Sequence, residues 1–276
     1  LVTGANKGIG LQICKKIIST VPDAHVIVGS RSAARGEKAV AEVLDSDPSA
    51  AGRVEMLQLD VADEASVTAA AVELAKRYAS EPTPLYGLCN NAGVGFGRSI
   101  KETLATNFYG TVNCCTHFLP LLDPQEGRVC NIASASGPNF VRGLDPEQKQ
   151  LFTSRDTTWE ELTGCLDRYS TATDYDGVAY GLSKAAVNQW TMQIAAQNPT
   201  LKINSCSPGY ILTDLTAGMG ASTPPEKSNC HVAPLHLLFG DVEHPEVNKG
   251  RYYGSDAVRS PIDVYRGPGD PPYVGD

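Results

Sequence analysis

Short apolar runs rich in β-branched residues alternate with amphipathic stretches along the whole chain, and nothing else constrains its fold as strongly. The runs are 1–3, 25–29, 54–59, 85–90, 128–134, 201–206 and 251–254. Ile9, Ile13 and Ile17 recur every fourth residue after the first run, and Val40, Val43 and Leu44 mark a second helix with Ser32 placed as its N-cap. Val67, Ala70, Ala71, Leu74 and Tyr78 share a face after Asp63, and Leu104, Phe108, Val112, Cys115 and Leu119 share another. Such alternation predicts an α/β fold: a doubly wound parallel sheet of about seven strands, with right-handed crossovers placing helices on both faces. No linker divides the 276 residues, so one domain over 1–276 is expected.

Two stretches break the rhythm. Residues 138–176 are far longer than a strand-to-helix loop needs, and they carry helix signals of their own. Asp145-Pro146 opens a short helix, Thr158 and Glu161 form a capping box, and Trp159, Leu162, Leu166 and Tyr169 share a face. This reads as a helical insertion. The second break is the end of the chain, where half of the 18 prolines and many glycines predict loops, one helix near 230–238 and an irregular tail over 255–276.

The net charge of −8 argues against a nucleic-acid or anionic-membrane surface, and no apolar run is long enough to span a bilayer. Eight cysteines show no ligand spacing, so no metal is expected; reduced thiols fit a cytoplasmic protein. A glycine loop occupying residues 4–10 leaves no room for a secretory leader within this sequence.

That loop, Gly4-Ala5-Asn6-Lys7-Gly8-Ile9-Gly10, joins the first run to the first helix. Glycines there let the backbone approach a pyrophosphate, and the helix N-terminus adds N–H donors and partial positive charge. A cofactor with a free ribose 2′-hydroxyl favours a carboxylate at the end of the second strand, whereas a 2′-phosphate favours a cation. Arg31 stands at that position and Lys7 adds a second cation, which selects NADP(H) over NAD(H).

Tyr180 and Lys184 lie at i and i+4, on one helix face. A phenol is a poor proton carrier at neutral pH unless its surroundings shift it, and a neighbouring ammonium is expected to lower its pKa. Together with the glycine loop, Asn90-Asn91-Ala92-Gly93, Asn107 in a T-N-F-Y-G-T stretch, Asn131-Ile132-Ala133-Ser134 and Pro208-Gly209 followed by Thr213, the pair makes the chain resemble the short-chain dehydrogenase/reductase superfamily. Asn-Lys-Gly-Ile-Gly, Ser-Arg-Ser, Leu59-Asp60-Val61 and the insertion resemble its monomeric carbonyl reductases.

The resemblance implies a Rossmann-type fold and NADPH-dependent reduction of ketones, aldehydes or quinones. It implies Tyr180 as general acid, Ser134 holding the carbonyl oxygen, Lys184 on the nicotinamide ribose and Asn107 fixing a relay water. Gly4, Asn6, Lys7, Gly8, Ile9, Gly10 and Arg31 would meet the phosphates. Asp60 and Val61 would flank the adenine, with Asn90, Ala92 and Gly93 along the ribose. Pro208, Gly209, Ile211 and Thr213 would face the carboxamide, and Tyr210 would join Ser134 and Tyr180 against substrate. The insertion would cover the helix face used elsewhere for dimerisation, giving a monomer.

The family often has a second serine where this chain has Ala133, and Ser136 is the fallback for Ser134. Plainer readings exist as well: Asn107 could brace a kinked helix, Asn90-Asn91 could form a turn, Asp60 could cap a loop, and Trp190 could be core. A hydrolase would need G-x-S-x-G, and Ala133-Ser134-Ala135-Ser136-Gly137 lacks the first glycine. A catalytically silent NADP(H) sensor or scaffold is the alternative to an enzyme.

Overall fold

The computed structural model describes residues 1–171, 176–242 and 250–275. Its strands are β1 (Val26–Ser30), β2 (Val54–Gln58), β3 (Gly87–Asn90), β4 (Arg128–Ile132), β5 (Lys202–Cys206), β6 (Tyr252–Tyr253) and β7 (Arg259–Ser260). The order across the sheet is β2-β1, then the segment at Val2, then β3-β4-β5-β6-β7, all parallel except β7. The expected first strand shrinks to one bridging residue, yet Val2 and Thr3 donate to Ile27 O and Cys89 O and so join the two halves. The tail is less irregular than expected, because β7 turns back to pair with β6.

Helices α1 (Gly8–Thr20), α2 (Ala33–Ser46) and α10 (Val232–Phe239) cover one face of the sheet. Helices α3 (Glu64–Arg77), α5 (Gly110–Phe118) and α9 (Asp176–Gln197) cover the other. Two apolar layers result, one holding Ile13, Ile17, Val28, Val43 and Leu237, the other holding Leu74, Leu88, Phe108, Phe118 and Trp190. Full burial of side chains this size contributes about 2–3 kcal/mol each. Cys89, Cys130 and Cys206 are fully buried among the first layer as small core residues.

Helix starts follow the sequence unevenly. Asp63 accepts from Ala65 N and caps α3. Ser32 is the N-cap of α2, but its side chain makes no capping bond; the local hydroxyl bonds come from Ser30 instead. The fourth predicted helix is broken in two by a π-turn over Ala105–Tyr109, between α4 (Ile100–Leu104) and α5.

The insertion folds into α6 (Ser136–Arg142), α7 (Pro146–Thr153) and α8 (Trp159–Thr171); its last residues, 172–175, lie outside the described residues. The Asp145 cap and the Thr158–Glu161 capping box both form. All three helices pack on α9. Tight approach explains two glycines: a Cβ on Gly137 would stand 3.0 Å from the Lys184 backbone, and one on Gly181 would stand 3.0 Å from Phe140 Cβ. Buried on most sides, α9 is held at fixed height above β4 and β5, and it carries Tyr180 and Lys184.

Candidate active site

The carboxyl ends of the parallel strands are where doubly wound sheets bind ligands. Here β4 ends at Ile132, and Ala133 and Ser134 follow it, facing the first turns of α9. The Ser134 side chain stands beside the Tyr180 phenol and draws its pKa down slightly, and its Oγ accepts from Ser136 N at 3.1 Å. Ser136 thus supplies a backbone donor to Ser134. Lys184 Nζ donates to Ile132 O at 2.7 Å and sits 5.7 Å from the centre of the Tyr180 ring.

Burial governs both titrations. It pushes the Tyr180 phenol up to about 12, while the Ser134 side chain pulls weakly the other way. It pushes the Lys184 ammonium down to about 8. The expected lowering of the phenol by Lys184 is absent: desolvation outweighs everything else, and the ammonium is tied to a strand carbonyl. The phenol therefore keeps its proton at neutral pH.

Asn107 sits in the π-turn, fully buried, and its side chain is committed elsewhere. Oδ1 accepts from Val94 N at 2.8 Å, while Nδ2 donates to Val94 O and Ser183 Oγ, both at 3.0 Å. Both amide hydrogens are used, so the side chain braces the loop at Val94 and α9 at Ser183. A water held by the Asn107 amide group would have only the second lone pair of Oδ1 to bond.

The glycine loop lies against the end of β3. Gly4 has φ +62°, and a Cβ there would stand 2.7 Å from Ala92 Cα. A Cβ on Gly10 would stand 2.5 Å from Asn91 Nδ2. Thr3, to which no role was assigned, is the clasp: its Oγ1 accepts from both Asn91 N and Ala92 N at 3.0 Å. Asn91 Nδ2 in turn donates to Thr3 O at 2.9 Å. Thr3 immediately precedes the glycine loop, but its partners lie 88 and 89 positions on.

Asn6, Gly8 and Ile9 are half-buried on this loop, and a Cβ on Gly8 would stand 3.7 Å from Thr213 Cγ2. The loop and the stretch holding Pro208, Gly209, Ile211 and Thr213 therefore face each other across the cleft. Gly93 is exposed, and a Cβ there would lie 3.3 Å from Asn107 Oδ1 and 3.8 Å from Lys184 Nζ. Asn90 donates to Asn131 Oδ1 at 2.9 Å, leaving its own Oδ1 buried and without a partner among the described residues. Positive-φ glycines, a bare Gly93 and an unpartnered buried acceptor suit a dinucleotide laid along this edge.

The cationic end is more complex than expected. Arg31 is exposed beyond β1, but Lys7 pairs with Asp214 from the facing loop. Asp60 accepts from Ala62 N at 3.1 Å, as a loop cap would, while Val61 is buried against Gly110. Tyr210 is 59% exposed, with its hydroxyl donating to Met219 O. It helps line a cavity of about 290 Å3 with Pro208, Gly209, Ile211, Lys227 and Ser255. A larger cavity, about 440 Å3, lies at the opposite, amino ends of the strands among Tyr78, Leu85, Tyr86 and Phe239, and contains none of these residues.

Among the described residues there is no cluster able to hold a metal ion, and no helix is long and apolar enough to cross a membrane.

The family model for short chain dehydrogenases matches residues 1–144. The chain belongs to the short-chain dehydrogenase family. It is 33% identical over 267 residues to carbonyl reductase (NADPH) 1 of Homo sapiens, covering 89% of this chain and 92% of that one. The corresponding Bos taurus protein is 34% identical over 268 residues, with the same coverage. Among solved structures, salutaridine reductase from Papaver somniferum superposes with a TM-score of 0.73 at 23% identity, over 91% of this chain and 98% of that one. NADPH-bound carbonyl reductase from chicken fatty liver gives 0.67 at 21%, over 94% and 97%. These two likenesses bear on fold, and the α/β sheet with helices on both faces is that of the family.

Proposed function

We propose that this member of the short-chain dehydrogenase family is an NADPH-dependent carbonyl reductase acting on ketones, aldehydes or quinones. The observation that carries the reading is a buried, protonated phenol beside a serine, with a lysine one turn further along the same helix. NADPH, when bound, supplies the hydride. Tyr180 donates its proton to the carbonyl oxygen, and Ser134 hydrogen-bonds that oxygen as negative charge develops. A phenol held near 12 suits the reductive direction, in which it must hold a proton before the reaction and give it up during it.

Lys184 orients the ribose, and Asn107 keeps Val94 and α9 in register as a positioning residue. Gly4, Asn6, Gly8, Ile9 and Gly10 hold the pyrophosphate, with Arg31 on the 2′-phosphate. Lys7 joins Arg31 by exchanging Asp214 for the phosphate. Asp60 and Val61 flank the adenine, and Asn90, Ala92 and Gly93 border the ribose. Pro208, Gly209, Ile211 and Thr213 take the carboxamide end, while Tyr210 stands at the substrate mouth. The coverage of α9 by α6, α7 and α8 supports a monomer, and the buried free thiols support a reducing, cytoplasmic setting.

The test is NADPH oxidation, followed by absorbance, with a panel of quinones, aldehydes and diketones. Turnover of at least one class is expected. Tight NADPH binding without turnover of any would replace this reading with the sensor.

A further inference from the structure

One large apolar side chain near the phenol belongs to no motif. Phe96 lies on the loop between β3 and α4, with its ring centre 5.0 Å from that of Tyr180 and the planes tilted by 43°. It remains 37% exposed, whereas Tyr180 beneath it is only 8% exposed. We infer that Phe96 is a steric gate over the Tyr180 phenol, admitting carbonyls with flat substituents and rejecting those branched beside the carbonyl carbon. This rests on the reductase reading for its substrates, though not for the shielding itself.

The loop is built to hold a ring there while letting it turn. On one side Val94 is pinned through both backbone groups by Asn107, and Gly95 packs so closely that a Cβ would stand 2.5 Å from Leu215 Cγ. On the other side, Ser99 closes the capping box that starts α4. Between these anchors Gly97 has φ +76° with open space around it, a conformation that a side chain would strain. Phe96 is thus the single large apolar side chain on this short span, with a glycine on either side.

The wall continues in exposed Leu212 and Met219, on the segment that Gly95 meets through Leu215. A flat conjugated group can slide along a tilted ring, because offset aromatic contacts tolerate lateral displacement. A tetrahedral branch beside the carbonyl has to push the ring aside.

Two readouts test the gate in the full-length protein, using Phe96→Ala and Phe96→Trp. The first is nitration of Tyr180 by tetranitromethane, mapped by mass spectrometry and normalised to Tyr210. Phe96→Ala is expected to raise it severalfold, and Phe96→Trp to keep it low. The second is the ratio of kcat/KM for a tert-alkyl aryl ketone to that for its unbranched methyl ketone. Phe96→Ala should raise this ratio about 10-fold, the scale expected when one apolar wall is removed, with NADPH affinity unchanged. Equal nitration in wild type and Phe96→Ala, or an unmoved ratio, overturns the gate. Should wild type reduce neither ketone and no member of the quinone, aldehyde and diketone panel, the reductase reading falls while nitration still decides whether Phe96 shields the phenol.

Discussion

The floor and the rim of the cleft are built on opposite principles. The floor, Ser134 with Tyr180, Lys184 and Asn107, is carried by a strand end, a helix and a π-turn, and nearly every polar atom there has a partner. Its titrations are set by burial. The rim, residues 94–99 and 209–220, is rich in glycine and exposes Phe96, Tyr210, Leu212 and Met219. The ion pair of its Asp214 with Lys7 is open to solvent. A fixed floor preserves the geometry a proton transfer requires, while a rim of loops can vary which carbonyl arrives. Substitutions should therefore separate: floor changes alter turnover or titration, and rim changes alter selection.

On the floor, Ser134→Ala should lower kcat for ketone reduction about 100-fold, as loss of an oxyanion donor does, with NADPH affinity retained. Steady-state kinetics beside a fluorescence titration of NADPH would show it, and an unchanged kcat would move Ser134 out of the floor.

Lys184 gives a prediction in stability. Its pKa is about 8 in the folded chain against 10.5 unfolded, so this side chain binds more proton in the unfolded chain between those values and its own contribution to stability rises with pH through that window. The full effect is present above 10.5 and is lost as pH falls to 8. Its size is about 3 kcal/mol at 1.36 kcal/mol per pKa unit. Buried thiols such as Cys14 and Cys115, whose pKa burial raises, slope the opposite way in the same window. The effect is therefore read as a difference in urea unfolding of the cofactor-free protein: wild type should gain stability relative to Lys184→Met as pH rises from 8 to 10.5.

At the rim, Arg31→Asp should cut the NADPH-to-NADH preference about 10-fold, the loss of roughly one charge-assisted contact. No change would assign the 2′-phosphate to Lys7 alone. Smallest of all, Tyr210→Ala should alter stability by less than about 0.5 kcal/mol because the ring is mostly exposed. A larger loss in thermal unfolding would make that loop part of the floor.

What the sequence revealed follows the range of each interaction. Tyr180 and Lys184 were legible because helical periodicity brings i and i+4 together, and the caps at Asp63, Asp145 and Thr158 because their partners lie within three residues. The parallel sheet with helices on both faces followed from alternation and handed crossovers. The pairing of Lys7 with Asp214 spans 207 positions and depends on how two loops face each other, which no local pattern encodes. The same holds for Thr3 clasping Asn91, 88 positions on, and for Phe96 over Tyr180. Lys184 was misjudged for an energetic reason: spacing displays an ammonium near a phenol, but only burial shows that desolvation dominates both.

The central claim is that the buried Tyr180 phenol delivers the proton. Its most direct test is Tyr180→Phe, which removes one oxygen and little volume, assayed for NADPH oxidation with a good ketone and for NADPH binding in parallel. The account predicts unchanged binding and turnover reduced by at least about 1,000-fold, within the range ascribed to a general acid. Turnover near the wild-type rate would contradict it.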